Sequence, residues 1–340
     1  MTDDDMLEFY IAYHFYSIAL IPPKSYYTTT IPKNMAAAIP TQIYSLPLFI
    51  TPEICRGRTY IVTGANAGLG FEAAKHLVRL GSAIVIMGVR NLSYGHRALA
   101  DIESSTEISG VAQVWELDLS SYNSVTAFTK RAIEKLDRVD AVIQNAGVAT
   151  FAAPKIEGDC RAEQSTTLTH LVIVTSRACF DFEEDWMKIK DNPIAKLDEE
   201  EMITLKAYPL SKLFEVMSIR HITSLLPVSR SGAVINLVCP GLCKTDLGRS
   251  VPPGFCEKLA KQKEQYGRTA EDGSRTLLYG AVAGEESHGS LLDSCTIAEK
   301  EVPSWITDEE IKKSQKLVWD AIARELETIE PGCVERILQG

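Results

Sequence analysis

The feature that most constrains the fold of this chain is a glycine-rich turn between a short apolar run and an amphipathic segment. The run TYIVTG covers residues 59–64, and TGANAGLG covers residues 63–70. Residues 68–80 then place apolar side chains on one helical face, and Gly81 follows where a helix would end. Glycines at this spacing let the backbone turn sharply and approach a pyrophosphate, which meets the open N–H groups of the helix N-terminus. We therefore predict a dinucleotide site here rather than a tight turn without a ligand. Its residues are Gly64, Asn66, Gly68, Leu69 and Gly70.

From residue 59 onward, apolar runs typical of strands alternate with amphipathic segments typical of helices. The predicted strands cover residues 59–64, 83–89, 111–119, 139–144, 171–175 and 233–238. The predicted helices cover residues 68–80, 93–105, 121–136, 207–226, 255–265, 269–283 and 307–328. This alternation predicts an α/β Rossmann fold, a doubly wound parallel sheet with helices on both faces. We expect one catalytic domain over residues 51–340, preceded by an N-terminal extension over residues 1–50.

The end of the second predicted strand indicates the type of nucleotide. A carboxylate at this place binds the ribose of NAD, whereas a basic residue can accommodate the 2′-phosphate of NADP. The strand ends Gly88-Val89-Arg90, without an acid. The forked donors of Arg90 suit a phosphate, which favours NADP(H) as the cofactor. The alternative is a surface arginine that binds no ligand.

Further motifs follow in a fixed order. They are LDL (117–119), NAG (145–147), IVTS (173–176), YPLSK (208–212) and CPGLCKTDL (239–247). Together with TGANAGLG, they resemble the short-chain dehydrogenase/reductase family, and most of all its retinol-dehydrogenase-like branch common among fungal secondary-metabolism enzymes, over residues 44–330. The resemblance implies an NADP-dependent oxidoreductase that transfers a hydride between the nicotinamide and a carbonyl or alcohol of a small, apolar metabolite.

The resemblance also implies roles for individual residues of this chain. Tyr208 would exchange the proton, Lys212 would hold the nicotinamide ribose and lower the pKa of the tyrosine, and Ser176 would polarise the substrate carbonyl. Asp118 would bind the adenine. The remaining implied cofactor residues are Asn145, Ala146 and Gly147 beside the central strand, and Pro240, Gly241, Leu242 and Thr245 at the nicotinamide.

The Tyr208 and Lys212 pair is chemically reasonable without the family. Residues four apart project from one face of a helix. A free tyrosine titrates at about pH 10, and a nearby ammonium favours the phenolate. Ser176 follows a predicted strand at its carboxyl end, where parallel sheets place ligands. The alternative is a half-buried tyrosine, a surface lysine and a strand-end hydroxyl without a shared function, and the agreement of all motifs favours the active site.

One segment departs from the family pattern. The family places a long helix with a catalytic asparagine between the NAG strand and the serine-bearing strand. Here only residues 148–170 fill that interval, and none of them is asparagine. A parallel crossover needs about a dozen residues, so the sheet can still close with a shortened crossover after the fourth strand. The alternative function is therefore a catalytically impaired nucleotide-binding protein of the same fold. Residues 177–207 are predicted to form a long loop over the substrate site.

Composition argues against several other classes of protein. The formal net charge of -10 disfavours nucleic-acid binding. The eight cysteines include no Cys-x-x-Cys and no histidine pair at zinc spacing, which favours free thiols, no metal site and the cytoplasm. The apolar stretch at residues 7–22 is short for a membrane span, so it is expected to be a poorly ordered tail, with peripheral membrane contact as the alternative.

Overall fold

A computed structural model describes residues 42–147, 169–193, 196, 206–248, 253–329 and 331–339. Its strands are β1 (Thr59–Thr63), β2 (Ile84–Val89), β3 (Ala112–Glu116), β4 (Ala141–Gln144), β5 (Thr169–Val174), β6 (Ala233–Cys239), β7 (Leu291–Asp293) and β8 (Thr296–Ile297). They form one sheet in the order β3-β2-β1-β4-β5-β6-β7-β8. All neighbouring pairs are parallel except the last, which is antiparallel.

The helices of the described residues cover the sheet. They are α1 (Pro52–Cys55), α2 (Gly68–Arg79), α3 (Leu92–Thr106), α4 (Tyr122–Lys135), α5 (Glu183–Ile189), α6 (Ala207–Leu225), α7 (Val228–Ser231), α8 (Pro253–Tyr266), α9 (Ala270–Gly280), α10 (Ser304–Thr307), α11 (Glu309–Ile329) and α12 (Cys333–Gln339). Short 3₁₀ turns occur at Arg177–Asp181, Glu285–Ser287 and Glu299–Glu301.

Both faces of the sheet are buried, as the predicted α/β doubly wound fold requires. Along β1, Ile61 packs into one apolar cluster with α4, α6 and α11. Its neighbours Tyr60 and Val62 point the other way, into a second cluster with α2, α3 and α9. Because successive side chains of a strand alternate between faces, a strand buried on both sides reads as an unbroken apolar run.

The strand order determines where a ligand can enter. From β1 the chain continues outward to β2 and β3, and then returns to β4 on the other side of β1. In open parallel sheets, such a reversal of strand order marks a crevice at the carboxyl edge of the sheet. The crevice therefore lies beside the glycine-rich turn.

The segment after β5 differs from its prediction. Residues 177–189 form a 3₁₀ turn and α5 rather than an irregular loop. Phe182, Trp186 and Ile189 are buried, and the Trp186 ring packs edge-on against Phe214 of α6 with centroids 5.9 Å apart. These three residues follow i, i+4, i+7 spacing, which is an amphipathic helix pattern. The hydrophobic effect thus draws this segment into the core. Residues 194, 195 and 197–205 lie outside the described residues.

The described part of the N-terminal extension packs on the domain. Leu46 and Ile50 are each 1% exposed. The Asp272 carboxylate accepts hydrogen bonds from the backbone N–H groups of Ser45 and Leu46, at 3.1 and 2.6 Å. Residues 42–50 are therefore held along α9 by both burial and hydrogen bonds.

No helix in the described ranges is long and apolar enough to cross a membrane. The apolar stretch at residues 7–22 lies outside these ranges.

Candidate functional site

The glycine-rich turn is packed tightly enough to require glycine at two of its positions. Gly64 follows β1 with φ +65°, and a Cβ added to it would lie 2.8 Å from Ala146 Cα. A Cβ on Gly70 would lie 2.7 Å from the Gly64 carbonyl oxygen and would also overlap the Asn145 amide nitrogen. The turn therefore lies directly against the Asn145–Gly147 segment that follows β4.

Hydrogen bonds fix that contact. Asn145 Nδ2 donates to the Thr63 carbonyl at 2.9 Å, and the Ala146 N–H donates to Thr63 Oγ1 at 2.9 Å. These bonds join the carboxyl ends of β1 and β4 at the crevice. Gly147 is exposed there.

The N-terminus of α2 is available to an anion. Its cap residue Ala67 makes no side-chain capping bond, and its first turn, which includes Leu69, contains no acid. The free N–H groups and the positive end of the helix dipole favour negative charge at this point. Gly68 begins the helix, and the Thr245 methyl lies 3.3 Å from where a Gly68 Cβ would be. The loop after β6 thus reaches across to the turn.

Arg90 and Asp118 follow the next two strands at the same edge. Arg90 is exposed directly after β2, and Asp118 is half-buried shortly after β3. The Asp118 carboxylate accepts hydrogen bonds from the N–H and the hydroxyl of Ser120, at 3.0 and 2.7 Å. Because β1, β2 and β3 are adjacent and parallel, both residues lie on the side of the turn away from β4.

The loop after β6 is held by a residue of the N-terminal segment. Gln42 accepts a hydrogen bond from the Leu242 N–H at 2.7 Å and donates to the Leu242 carbonyl at 3.1 Å. It also donates to the Tyr266 carbonyl at 2.6 Å. Gly241, with φ +75°, leaves room for the Gln42 amide where any side chain would collide with it. The buried Arg268 guanidinium adds a bond to the Pro240 carbonyl at 2.9 Å.

Ser176, Tyr208 and Lys212 come together at the carboxyl end of β5. Tyr208 lies in the first turn of α6 and is half-buried, and the Ser176 hydroxyl is close enough to lower the pKa of the phenol. Lys212, one turn further along α6 and 8% exposed, donates to the Val174 carbonyl at 2.7 Å. Three side chains separated by up to 36 positions thus meet beside the crevice.

The electrostatic balance at Tyr208 differs from the expectation drawn from Lys212 alone. Burial raises the pKa of Tyr208, while the Lys212 ammonium and the neighbouring Ser176 hydroxyl lower it. Burial is the larger effect, so the pKa of Tyr208 lies above its ordinary value. The phenol is therefore protonated at neutral pH.

Two residues near this site were not predicted from the sequence. Glu215 is 3% exposed and binds Lys212, and Gln42 lies in the segment predicted to be an extension. A signal for Glu215 did exist, because it is an acid within the apolar stripe of a long helix. No comparable pattern marks Gln42.

The interval without asparagine, residues 148–168, lies outside the described residues. The described residues contain no group of three His, Cys, Asp or Glu side chains that could hold a metal ion.

Comparison with known proteins agrees with this arrangement. The family described as "short chain dehydrogenase" matches residues 58–181. A short chain dehydrogenase/reductase of Cryptosporiopsis sp. is 34% identical over 307 residues, covering 81% of this chain and 92% of that protein.

Solved structures show the same fold. Salutaridine reductase from Papaver somniferum superposes with a TM-score of 0.52 at 18% identity, covering 69% of this chain and 99% of that chain. A short chain dehydrogenase from Shigella flexneri complexed with NADP gives a TM-score of 0.50 at 17% identity, covering 72% of this chain and 100% of that chain. The sheet order, the ordered motifs and the 34% identity to a relative matched over 92% of its length lead to one conclusion: the chain belongs to the short-chain dehydrogenase/reductase family of nicotinamide-dependent oxidoreductases.

Proposed function

We propose that this protein is an NADPH-dependent reductase of a carbonyl group on a small, largely apolar metabolite, acting in the cytoplasm in a fungal secondary-metabolite pathway. The observation that carries the proposal is the meeting of Ser176, Tyr208 and Lys212 at the crevice edge of the sheet. The 34% identity to a short chain dehydrogenase/reductase of Cryptosporiopsis sp. supports the reaction class.

The residues around the crevice suit a dinucleotide along its whole length. The glycine-rich turn and the open N-terminus of α2 would hold the pyrophosphate. Arg90 would pair with the 2′-phosphate, and no acid at the end of β2 opposes it. The cofactor-binding set comprises Gly64, Asn66, Gly68, Leu69, Gly70, Arg90, Asp118, Asn145, Ala146, Gly147, Tyr208, Lys212, Gly241, Leu242 and Thr245.

The catalytic roles follow from the chemistry of each side chain. When bound, the nicotinamide supplies a hydride to the carbonyl carbon. Ser176 donates a hydrogen bond to the carbonyl oxygen as negative charge develops there. Tyr208 gives its phenolic proton to that oxygen, which completes the alcohol, and recovers a proton from solvent. Lys212 stabilises the phenolate that forms.

The state of Tyr208 at neutral pH suits the role of proton donor in carbonyl reduction. Its raised pKa keeps the phenol protonated at neutral pH, which is the form that donates a proton to a carbonyl. Alcohol oxidation requires the phenolate and should therefore be favoured only at higher pH.

The first test is titration of the protein with NADPH and with NADH, alongside Arg90→Ala. We expect NADPH to bind more tightly than NADH, and Arg90→Ala to remove most of the difference, equivalent to about 1–3 kcal/mol for a charge-assisted contact. Arg230→Ala is the matched control, since Arg230 is an exposed arginine of α7. Equal binding of both nucleotides by the unmodified protein would refute the NADP assignment.

The second test is NADPH oxidation with a panel of apolar ketones and aldehydes, for the unmodified protein and Tyr208→Phe. We expect the unmodified protein to oxidise NADPH with at least one of these carbonyls. Turnover by the phenylalanine variant should be lower by about 100-fold or more, although the variant still binds NADPH. Tight NADPH binding without turnover on any carbonyl would instead support the alternative function, a catalytically impaired nucleotide-binding protein.

A further inference from the structure

We infer that Glu215 is a positioning residue of this active site: its carboxylate is the counter-ion that holds the Lys212 ammonium charged and in place at the end of β5. The inference rests on the proposed function, because it assigns Glu215 a role through a proposed catalytic lysine. Glu215 itself lies behind Lys212, one turn further along α6.

The geometry is that of a closed ion pair. Lys212 Nζ lies 3.2 Å from Glu215 Oε1 and 3.0 Å from Oε2. The ammonium also donates a hydrogen bond to the Val174 carbonyl at 2.7 Å. The two residues are 8% and 3% exposed. A buried ammonium or carboxylate is strongly disfavoured without its partner, so each side chain depends on the other for its charge.

The other titratable groups facing this pair are neutral at neutral pH. Cys179 approaches from the 3₁₀ turn after β5, and burial raises the pKa of its thiol well above the ordinary value. Cys239 of β6 lies near Cys179 and Tyr208, and burial raises the pKa of its thiol to about 11. Tyr208 lies on α6 itself and also has a raised pKa. Thr175, at the end of β5, adds an uncharged hydroxyl beside Glu215. Among the described residues around Lys212, Glu215 is therefore the group that supplies negative charge.

The opposing effects of burial and of Glu215 determine the charge of Lys212. Burial is the largest single influence on Lys212 and favours its neutral form. The charge and hydrogen bonds of Glu215, with a smaller effect of Tyr208, outweigh burial, and the pKa of Lys212 lies above its ordinary value. Without Glu215, burial would dominate and the ammonium would lose its proton at lower pH. The lysine would then no longer stabilise the Tyr208 phenolate.

The direct test is the titration of Lys212 by NMR of protein labelled at lysine Cε, with the Lys212 signal identified by its loss in Lys212→Arg. In the unmodified protein we expect the midpoint of the Lys212 titration to lie above that of a free lysine. In Glu215→Gln we expect the midpoint to move to lower pH. Glu215→Asp, which keeps the charge but shortens the side chain, should move it less. An unchanged midpoint in both variants would overturn the inference.

The matched control is Glu299→Gln. Glu299 also pairs with a cation of α6, accepting from Arg220 at 2.7 and 2.8 Å, but it does not contact Lys212. This variant should leave the Lys212 titration unchanged. A shift equal to that of Glu215→Gln would show a general effect on α6 and would also overturn the inference.

The second readout is the pH profile of kcat/KM for carbonyl reduction. Glu215→Gln should bring the alkaline loss of activity to lower pH, and Glu215→Asp should restore most of the original profile. A loss of equal size at every pH would show a merely structural contact and would refute the role. If the unmodified protein reduces no carbonyl, the proposed function fails, whereas the NMR titration still tests Glu215 independently.

Discussion

Gly70→Ala tests whether the proposed nucleotide site depends on the close packing of the glycine-rich turn against the end of β4. The new Cβ would lie 2.7 Å from the Gly64 carbonyl oxygen, which belongs to the backbone and cannot rotate away. It would also collide with the Asn145 amide, which donates to the Thr63 carbonyl at 2.9 Å. The turn, Asn145 or both must move.

The magnitude follows from three contributions. Overpacking a tight contact costs about 1–3 kcal/mol. Loss of the Asn145 hydrogen bond costs about 1 kcal/mol, and the higher helix propensity of alanine in α2 returns about 1 kcal/mol. We therefore expect the free energy of unfolding to fall by about 1–3 kcal/mol. We also expect NADPH affinity to fall by about tenfold or more, since each factor of ten corresponds to about 1.4 kcal/mol.

The assay is urea denaturation followed by circular dichroism, combined with a fluorescence titration by NADPH. Gly254→Ala is the matched control, because Gly254 also lies in the first turn of a helix and its Cβ would meet nothing within 4 Å. The control should be neutral or slightly stabilising. If Gly70→Ala were as stable as the control and bound NADPH like the unmodified protein, the packing argument would be wrong.

Two further predictions concern Gln42, which holds the loop after β6, and the buried His170. Gln42→Ala should lower the free energy of unfolding by about 1–3 kcal/mol in urea denaturation, because the Leu242 N–H and carbonyl lose their partners. Tyr44→Phe, which removes one exposed hydrogen bond to Tyr266, should cost less than about 1 kcal/mol, and an equal loss in both variants would contradict the role of Gln42. Burial lowers the pKa of His170 in the folded protein below the value of about 6.5 for an unfolded chain. The neutral imidazole therefore contributes its full stability above about pH 6.5, and this contribution is lost as the pH falls toward the folded-state pKa. Between pH 7 and pH 5, the free energy of unfolding should thus decline less steeply in His170→Gln than in the unmodified protein. An identical slope in both proteins would contradict the assigned role of His170.

Much of the fold could be predicted from the sequence because its signals are local. The apolar run before the glycine-rich turn became β1, and the amphipathic stretches at residues 121–136 and 207–226 became α4 and α6 to within a residue or two. Strands β7 and β8 were not predicted, since three and two residues are too short to show a period. The Phe182, Trp186 and Ile189 spacing did carry a helical signal, but the whole of residues 177–207 was predicted to be a loop.

The candidate site, like the fold, could be predicted only in part from the sequence. The sequence by itself determined the family, the order of the motifs and the side chains proposed for catalysis, because motif spacing along a strand or helix is a property of neighbouring residues. Only the tertiary structure decided that Gln42 holds Leu242, two hundred positions away, and that Val174 and Glu215 together hold Lys212. It also decided that burial outweighs the lysine at Tyr208. Partnership and desolvation depend on which distant groups the fold brings together, and no local pattern contains that information.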